Sequence, residues 1–287
     1  MKTIRLDPIC QDCFARAVIR VAEMHGLSAE RIATLVDETR QLIASTPADQ
    51  GPPQAARRLR GLLQRHLGVT DPFAEVKRLG NEHAAAVVET LRDRIVASDD
   101  SFRTALRTAL AGNVIDFAYV GEQDLPATVE RLAEAELGID DTERLREEIG
   151  AARRVLYLGD NTGEVWCDRL FIETLPPGPA ITFATRESPV LNDATLVEAR
   201  QAGLDQVCEL ISSGSDAPGA IPELLNDRTR ELLETADVVV SKGQGNFEAL
   251  YGHALRPVYF VFLVKCEHVV EAVGHPVGTG IVWRWTP

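Results

Sequence analysis

The stretch VLYLGDNTGEVWCDRLFIETL (residues 155–175) passes from an apolar run through a polar knot into an apolar-rich helical pattern. A short apolar run bounded by turn residues reads as a buried strand, and the apolar spacing after Gly163 reads as a helix. A strand-to-helix turn that cradles a phosphate favours glycines and backbone N–H groups, with few negative charges. Here Asp160, Asn161 and Glu164 crowd the turn beside Gly159 and Gly163. Acid at the place of an anion calls for a cation between the two.

Outward from that stretch the chain divides. From Arg154 onward, β-rich runs alternate with helical ones: VLYL (155–158), AITFAT (180–185), VCELI (207–211), DVVVS (237–241), VYFVFLV (258–264) and GIVWRW (280–285). Near-continuous apolar strands separated by helices indicate a sheet covered on both faces. Before residue 150 the pattern is helical throughout, from CFARAVIRVAEMHG and SAERIATLVDETRQLIAST, where Ser28 is a candidate N-cap, to DSFRTALRTALAGNVIDFAYVG and the segment around TVERLAEAELG. The expected fold class is therefore α/β: a Rossmann-like, doubly wound, mostly parallel sheet in residues 151–287, preceded by an all-helical domain in residues 1–150. Ligands of such sheets sit beyond the carboxyl ends of the strands.

Composition narrows the function. With 287 residues, 45% of them hydrophobic, the chain can bury a sizeable core. A net charge of −13 argues against nucleic acid or an anionic membrane as the main partner. It leaves room for an anionic small molecule, because a bound cation inverts the local field. The N-terminal MKTIRLDPIC has no apolar core of a secretory signal, and PVYFVFLV (257–264) is too short to span a bilayer. The expected location is cytoplasmic, and five cysteines do not make a disulfide scaffold.

Polar residues collect at the strand ends. The first run leads to Asp160, Asn161 and Glu164, the second to Arg186, Asn192 and Asp193, the third to Ser212, Ser213 and Asp216. The fourth leads to Lys242, Asn246 and Glu248, and the fifth to Lys265, Cys266 and His268. Asp160, Asn161 and Asp193 offer the oxygen ligands that hard divalent cations prefer. Lys242, in a glycine-rich strand-to-helix turn, is placed to meet an anion. Each also has a plainer reading. Asp160 with Asn161, and Asn192 with Asp193, suit helix caps or turns. Glu164 and Asp168 share a helix face and complement its dipole, and Arg186 closes a salt bridge.

Taken together, GDNTGE, NDAT, SKGQGNFE and KC, with an early CQDC, resemble the damage-control phosphatase family, formerly a domain of unknown function. DPFAEVKRLGN and GNVIDF in the helical half are similar to family segments as well, and CQDC with KC is similar to the stand-alone prokaryotic branch. The resemblance implies a divalent-metal-dependent phosphatase, using Mg, Mn, Co or Ni, that hydrolyses small phosphomonoesters such as sugar phosphates or damaged phosphometabolites. It implies Asp160, Asn161 and Asp193 as metal ligands and Lys242 as a phosphate contact. Glu164 is expected to orient the attacking water, with Arg186, Ser213, Asp216 and Asn246 about the substrate. The rivals are an S-adenosylmethionine-dependent carboxyl methyltransferase and a phosphometabolite-binding regulator without turnover. Cys10, Cys13, Cys266 and His268 suit a zinc site, a redox pair or simple packing, with a structural role at the domain junction preferred. Cys167 and Cys208 are expected in the core.

Overall fold

The computed structural model describes residues 3–112, 131 and 133–287. GNVIDF, apart from Gly112, and residues 128–130 and 132 of TVERLAEAELG lie outside the described residues. The described residues open with the helices α1 (Pro8–Met24), α2 (Ala29–Ala44), α3 (Pro52–Leu67), α4 (Ala74–Ala97) and α5 (Ser101–Ala111). The remainder alternates: β1 (Leu137–Asp140), α6 (Thr142–Ala151), β2 (Arg154–Leu158), α7 (Glu164–Glu173), β3 (Ala180–Thr185), α8 (Leu196–Gln201) and β4 (Glu209–Ser212). It closes with α9 (Asp227–Thr235), β5 (Val238–Lys242), α10 (Gly243–Leu250), β6 (Val258–Leu263), α11 (Glu267–Val273) and β7 (Gly280–Trp285).

The seven strands form one sheet in the order β1-β7-β6-β5-β2-β3-β4. Every pair is parallel except β6 with β7. From β2 the chain builds outward first through β3 and β4, then on the other side through β5 and β6, so the connections part company beyond the end of β2. Successive side chains of a strand point to opposite faces. Val155 and Tyr157 enter one core with α4, α5, α7 and α8, whereas Leu156 and Leu158 enter a second core with Phe247 of α10 and Val269 of α11. Burial on both faces is the reason these strands are written as unbroken apolar runs. A third core, built by Val18, Leu35, Leu59 and Leu63, joins α1, α2 and α3.

Several expectations shift. Leu137–Asp140, inside the stretch read as helical, is an edge strand paired with β7. The third β run begins at Glu209 rather than Val207, because Val207 and Cys208 donate their N–H groups to Leu204 and close a 3-10 turn instead. Ser28 does cap α2, its side chain accepting from Arg31 N.

A buried ion pair ties α4 to α8. Lys77 Nζ lies 2.8 Å from Glu198 Oε1 and 2.8 Å from Asp71 Oδ2, with its side chain 6% exposed. Glu198 Oε2 in turn accepts from Thr195 N at 2.8 Å, so Lys77 supports the cap of α8. Lys77→Met strands two acids in a shielded place and should lower stability by about 2–4 kcal/mol in urea denaturation. A loss within about 0.5 kcal/mol would mean that the pair is solvated and structurally idle.

Candidate functional site

Neither acidic pair is spent on a helix cap. The N-cap of α7 is Gly163, with no side-chain cap bond, and that of α8 is Thr195, which forms a capping box with Glu198. Asp160 and Asn161 therefore stand beyond β2, and Asn192 and Asp193 beyond β3, without serving as the caps of the helices that follow. Backbone pairing brings the two segments together. Ala194 N donates to Asp160 O at 2.8 Å and Thr162 N to Asn192 O at 2.9 Å, forming an isolated antiparallel bridge between Asn161 and Asp193.

Arg186 sits between the acids. Its Nε donates to Asp193 Oδ2 at 2.6 Å, its Nη2 reaches Asp160 Oδ1 at 3.4 Å, and its Nη1 donates to Asn246 Oδ1 at 3.1 Å. Asn246 returns Nδ2 bonds to Gly159 O and Lys242 O, tying β2 to the start of α10. Asn161 Nδ2 donates to Asp160 Oδ2 at 2.9 Å, which leaves the carbonyl end of its amide as the ligand-type atom. Gly243 comes so close that a Cβ there would lie 1.8 Å from Asp160 Oδ2, and its φ of 77° is one that side chains rarely adopt.

Electrostatics at the turn are lopsided. Burial first, then the fields of Asp193 and Glu164, drive the Asp160 carboxyl well above the usual carboxylate range, against the pull of Arg186 and Lys265. Behind the turn, Lys242 is fully buried. Its Nζ donates to Ala109 O at 3.0 Å, to Asp168 Oδ1 at 2.6 Å and to Glu164 Oε1. Burial works against this ammonium, but Asp168 and Glu164 outweigh it and hold the Lys242 pKa above its ordinary value. Asp168 also accepts from Tyr157 at 2.7 Å, and burial lifts its pKa to about 6 even so.

A cleft of ≈ 180 Å³ opens in front of Asp160, Asn161 and Asp193, walled by Phe14, Pro53, Glu248 and Lys265 among others. Its walls come from α1 and α3 on one side and from the strand ends on the other. Of the expected site residues, the three proposed ligands line it. Lys242 and Glu164 do not; they form the buried pair beneath the turn. Arg186 and Asn246 are likewise buried scaffold, at 1% and 0% exposure. Ser213 is buried within its loop, where Oγ accepts from Ser215 N, and Asp216 pairs with Arg57 and Arg60 of α3. Glu248 and Lys265 were gathered at the strand ends by the sequence but given no role there, and both line the cleft.

Sequence reading missed Asn81. Its Oδ1 accepts from Trp166 Nε1 at 3.1 Å and from Gly163 N at 3.4 Å, bracing the acidic turn from α4. It lies four residues after Lys77, on the same helix face. The DPFAEVKRLGN segment thus steadies the turn after β2 and the cap after Asp193 at once.

All five cysteines are free thiols. Burial pushes Cys10 up to about 12 and raises Cys13 and Cys266, with the nearby Glu248 adding to each. His268 Nδ1 lies 2.8 Å from Asp7 Oδ2, at the N-cap of α1. Cys167 is buried in the core, and burial holds its thiol at about 12. Among the described residues no group of three or more His, Cys, Asp or Glu is gathered as a metal cluster. The acidic turn offers instead two carboxylates and one amide.

Comparison with known proteins gives this arrangement a family. The damage-control phosphatase ARMT1-like domain matches residues 6–281. A damage-control phosphatase of Archaeoglobus fulgidus is 34% identical over 283 residues, covering 96% of this chain and 97% of that protein. One from Pyrococcus horikoshii is 32% identical over 281 residues, covering 96% of each. The solved structure of a DUF89 family protein from Pyrococcus horikoshii superposes with a TM-score of 0.89 at 30% identity, over 98% of this chain and 99% of that one. The chain belongs to the damage-control phosphatase ARMT1-like family. Among the described residues no helix is long and apolar enough to cross a membrane.

Glu248 supplies a pH test of the cleft. Burial pushes its carboxyl from 4.5 up to about 7, against Gln244 and Lys265. A folded pKa above the unfolded one favours the fold most at low pH, and that advantage is lost as pH rises through about 7. The stability of wild type minus that of Glu248→Gln should fall by on the order of 2 kcal/mol between about pH 4.5 and pH 8. A flat difference would place Glu248 in ordinary solvent.

Proposed function

We propose that the chain is a divalent-metal-dependent phosphatase of small phosphomonoesters, sugar phosphates or damaged phosphometabolites. Its partner would be a small phosphorylated metabolite. The observation that carries this reading is the convergence of Asp160, Asn161 and Asp193 on one cleft with acid in excess. Around the turn Asp160, Asp193, Glu164, Asp168 and Glu248 face Arg186, Lys242 and Lys265. The excess suits one divalent cation, and the raised Asp160 pKa is the strain such a charge would relieve. Two carboxylate oxygens and an amide oxygen fit Mg, Mn, Co or Ni, with positions left for substrate. The names of the relatives support the same activity.

In this reading the ion would supply electrophilic polarisation of the phosphoryl group. The chain's own residues do the rest. Asp160, Asn161 and Asp193 bind, and Arg186 fixes the two carboxylates relative to each other. Lys265, the lysine on the cleft wall, neutralises a phosphoryl oxygen, and the first turn of α10 at Gln244 and Gly245 adds N–H donors. Glu164 acts through Asn161, which its Oε2 meets at 3.4 Å, and Lys242 holds Glu164 in place. That assigns Lys242 to positioning rather than to the phosphate itself. We read the parallel strands of residues 151–287, with the edge strand β1 added from before that boundary, as a Rossmann-like unit closed over by the helices that precede it.

Phosphate release from a panel of sugar phosphates, with and without divalent ions, tests the reading. It also separates a phosphatase from a methyltransferase or a binding-only regulator. Asp160→Ala and Asp193→Ala should each lower kcat at least about 1000-fold in a folded protein. Lys242→Met should lower kcat about 30- to 1000-fold, and Lys265→Ala should act chiefly on KM. Undiminished release from Asp160→Ala in the presence of chelator would overturn the reading.

A further inference from the structure

Two cavities meet at the loop before Asp193. Beside the acidic cleft of ≈ 180 Å³ lies a larger one of ≈ 350 Å³, walled by Phe14, Val18, Leu59, Leu63, Phe73 and Leu191. Phe14, Leu191 and Asn192 belong to both, so the acidic cleft continues sideways into an apolar groove. In a chain of net charge −13, the charged residues along this groove, among the described residues, are Arg16 and Arg20. Its electrostatic character therefore opposes that of the acidic cleft and of the chain at large.

Leu191 marks the junction. Its φ of 45° makes it the sole non-glycine residue with positive φ among the described residues. A branched side chain there is strained, and such strain collects at ligand clamps. Leu191 stands two residues before Asp193, half-buried against the core of α1 and α3 yet facing both cavities. The same short loop thus presents a carboxylate to one cavity and an apolar side chain to the other.

The geometry points to the groove as the seat of the alcohol portion of the substrate. The phosphoryl group would occupy the acidic cleft, and an adjoining aromatic or branched apolar body would fill the groove. The substrate class is then phosphomonoesters of apolar-bodied alcohols, in preference to bare polyol phosphates. This rests on the phosphatase reading above. The apolar lining gives an apolar body its gain through burial, whereas a polyol there leaves hydroxyls without partners. Leu191 is the specificity-determining residue.

Benzyl phosphate and glycerol 3-phosphate, both esters of primary alcohols, test it with manganese present. Wild type should favour benzyl phosphate in kcat/KM by about tenfold or more, through KM, as burial of a ring requires. Leu191→Gly, which relieves the backbone, and Ala17→Gln, which makes the groove polar, should each shrink that preference several-fold. Without turnover, benzylphosphonate should raise the melting temperature more than methylphosphonate in wild type, and the gap should close in both variants. Equal use of the two esters with equal protection by the two phosphonates would overturn the groove assignment and leave the phosphatase reading intact. If neither ester is hydrolysed with Mg, Mn, Co or Ni, the phosphatase reading fails and this inference with it.

Discussion

The clamp of Arg186 between Asp160 and Asp193 is the interaction on which the rest of the site depends. Two carboxylates buried side by side repel, and one guanidinium with three bonded partners fixes their separation. The clamp also joins three strand ends, since Asp160 follows β2, Arg186 follows β3 and Asn246 follows β5. A second buried group, Lys242 with Glu164 and Asp168, lies under the same turn and anchors it to α5 through Ala109 O. Charge is thus concentrated where the chain's connections diverge beyond β2. Apolar cores on both faces of the sheet make that charge costly, and the pairing of each cation with carboxylates offsets the cost.

The helical half does more than cover the cleft. Lys77 and Asn81, one turn apart on α4, brace the loop after β3 and the turn after β2 from outside. Phe14 of α1 and Pro53 of α3 form the opposing wall. Arg57 and Arg60 of α3 hold the loop at Asp216. The acids come from one half of the chain and their enclosure from the other, so the cleft exists only where the two meet.

Much of this was legible in the sequence for a physical reason. Strands buried on both faces must be apolar along their whole length, and VLYL, AITFAT and VYFVFLV show it. The grouping of Asp160, Asn161 and Asp193 was legible because polar residues after such strands share one edge of the sheet. The edge strand Leu137–Asp140 was not, since it is short, has one buried residue and takes its form from pairing with β7. The burial of Lys242 was not legible, for a different reason. Its place in a glycine-rich turn is visible, but the two carboxylates one turn apart on α7 that capture it are a tertiary fact. Lys265 shows the reverse case, a lysine whose role depends on which wall of a cleft it joins.

The central claim is that Asp160, Asn161 and Asp193 bind one divalent cation facing the cleft. Crystals grown with manganese, measured for anomalous scattering, test it most directly. The expected result is a single strong peak about 2.0–2.3 Å from oxygens of all three side chains, absent from Asp193→Ala crystals. A map with no peak there, while Arg186 still clamps both carboxylates, would contradict the account.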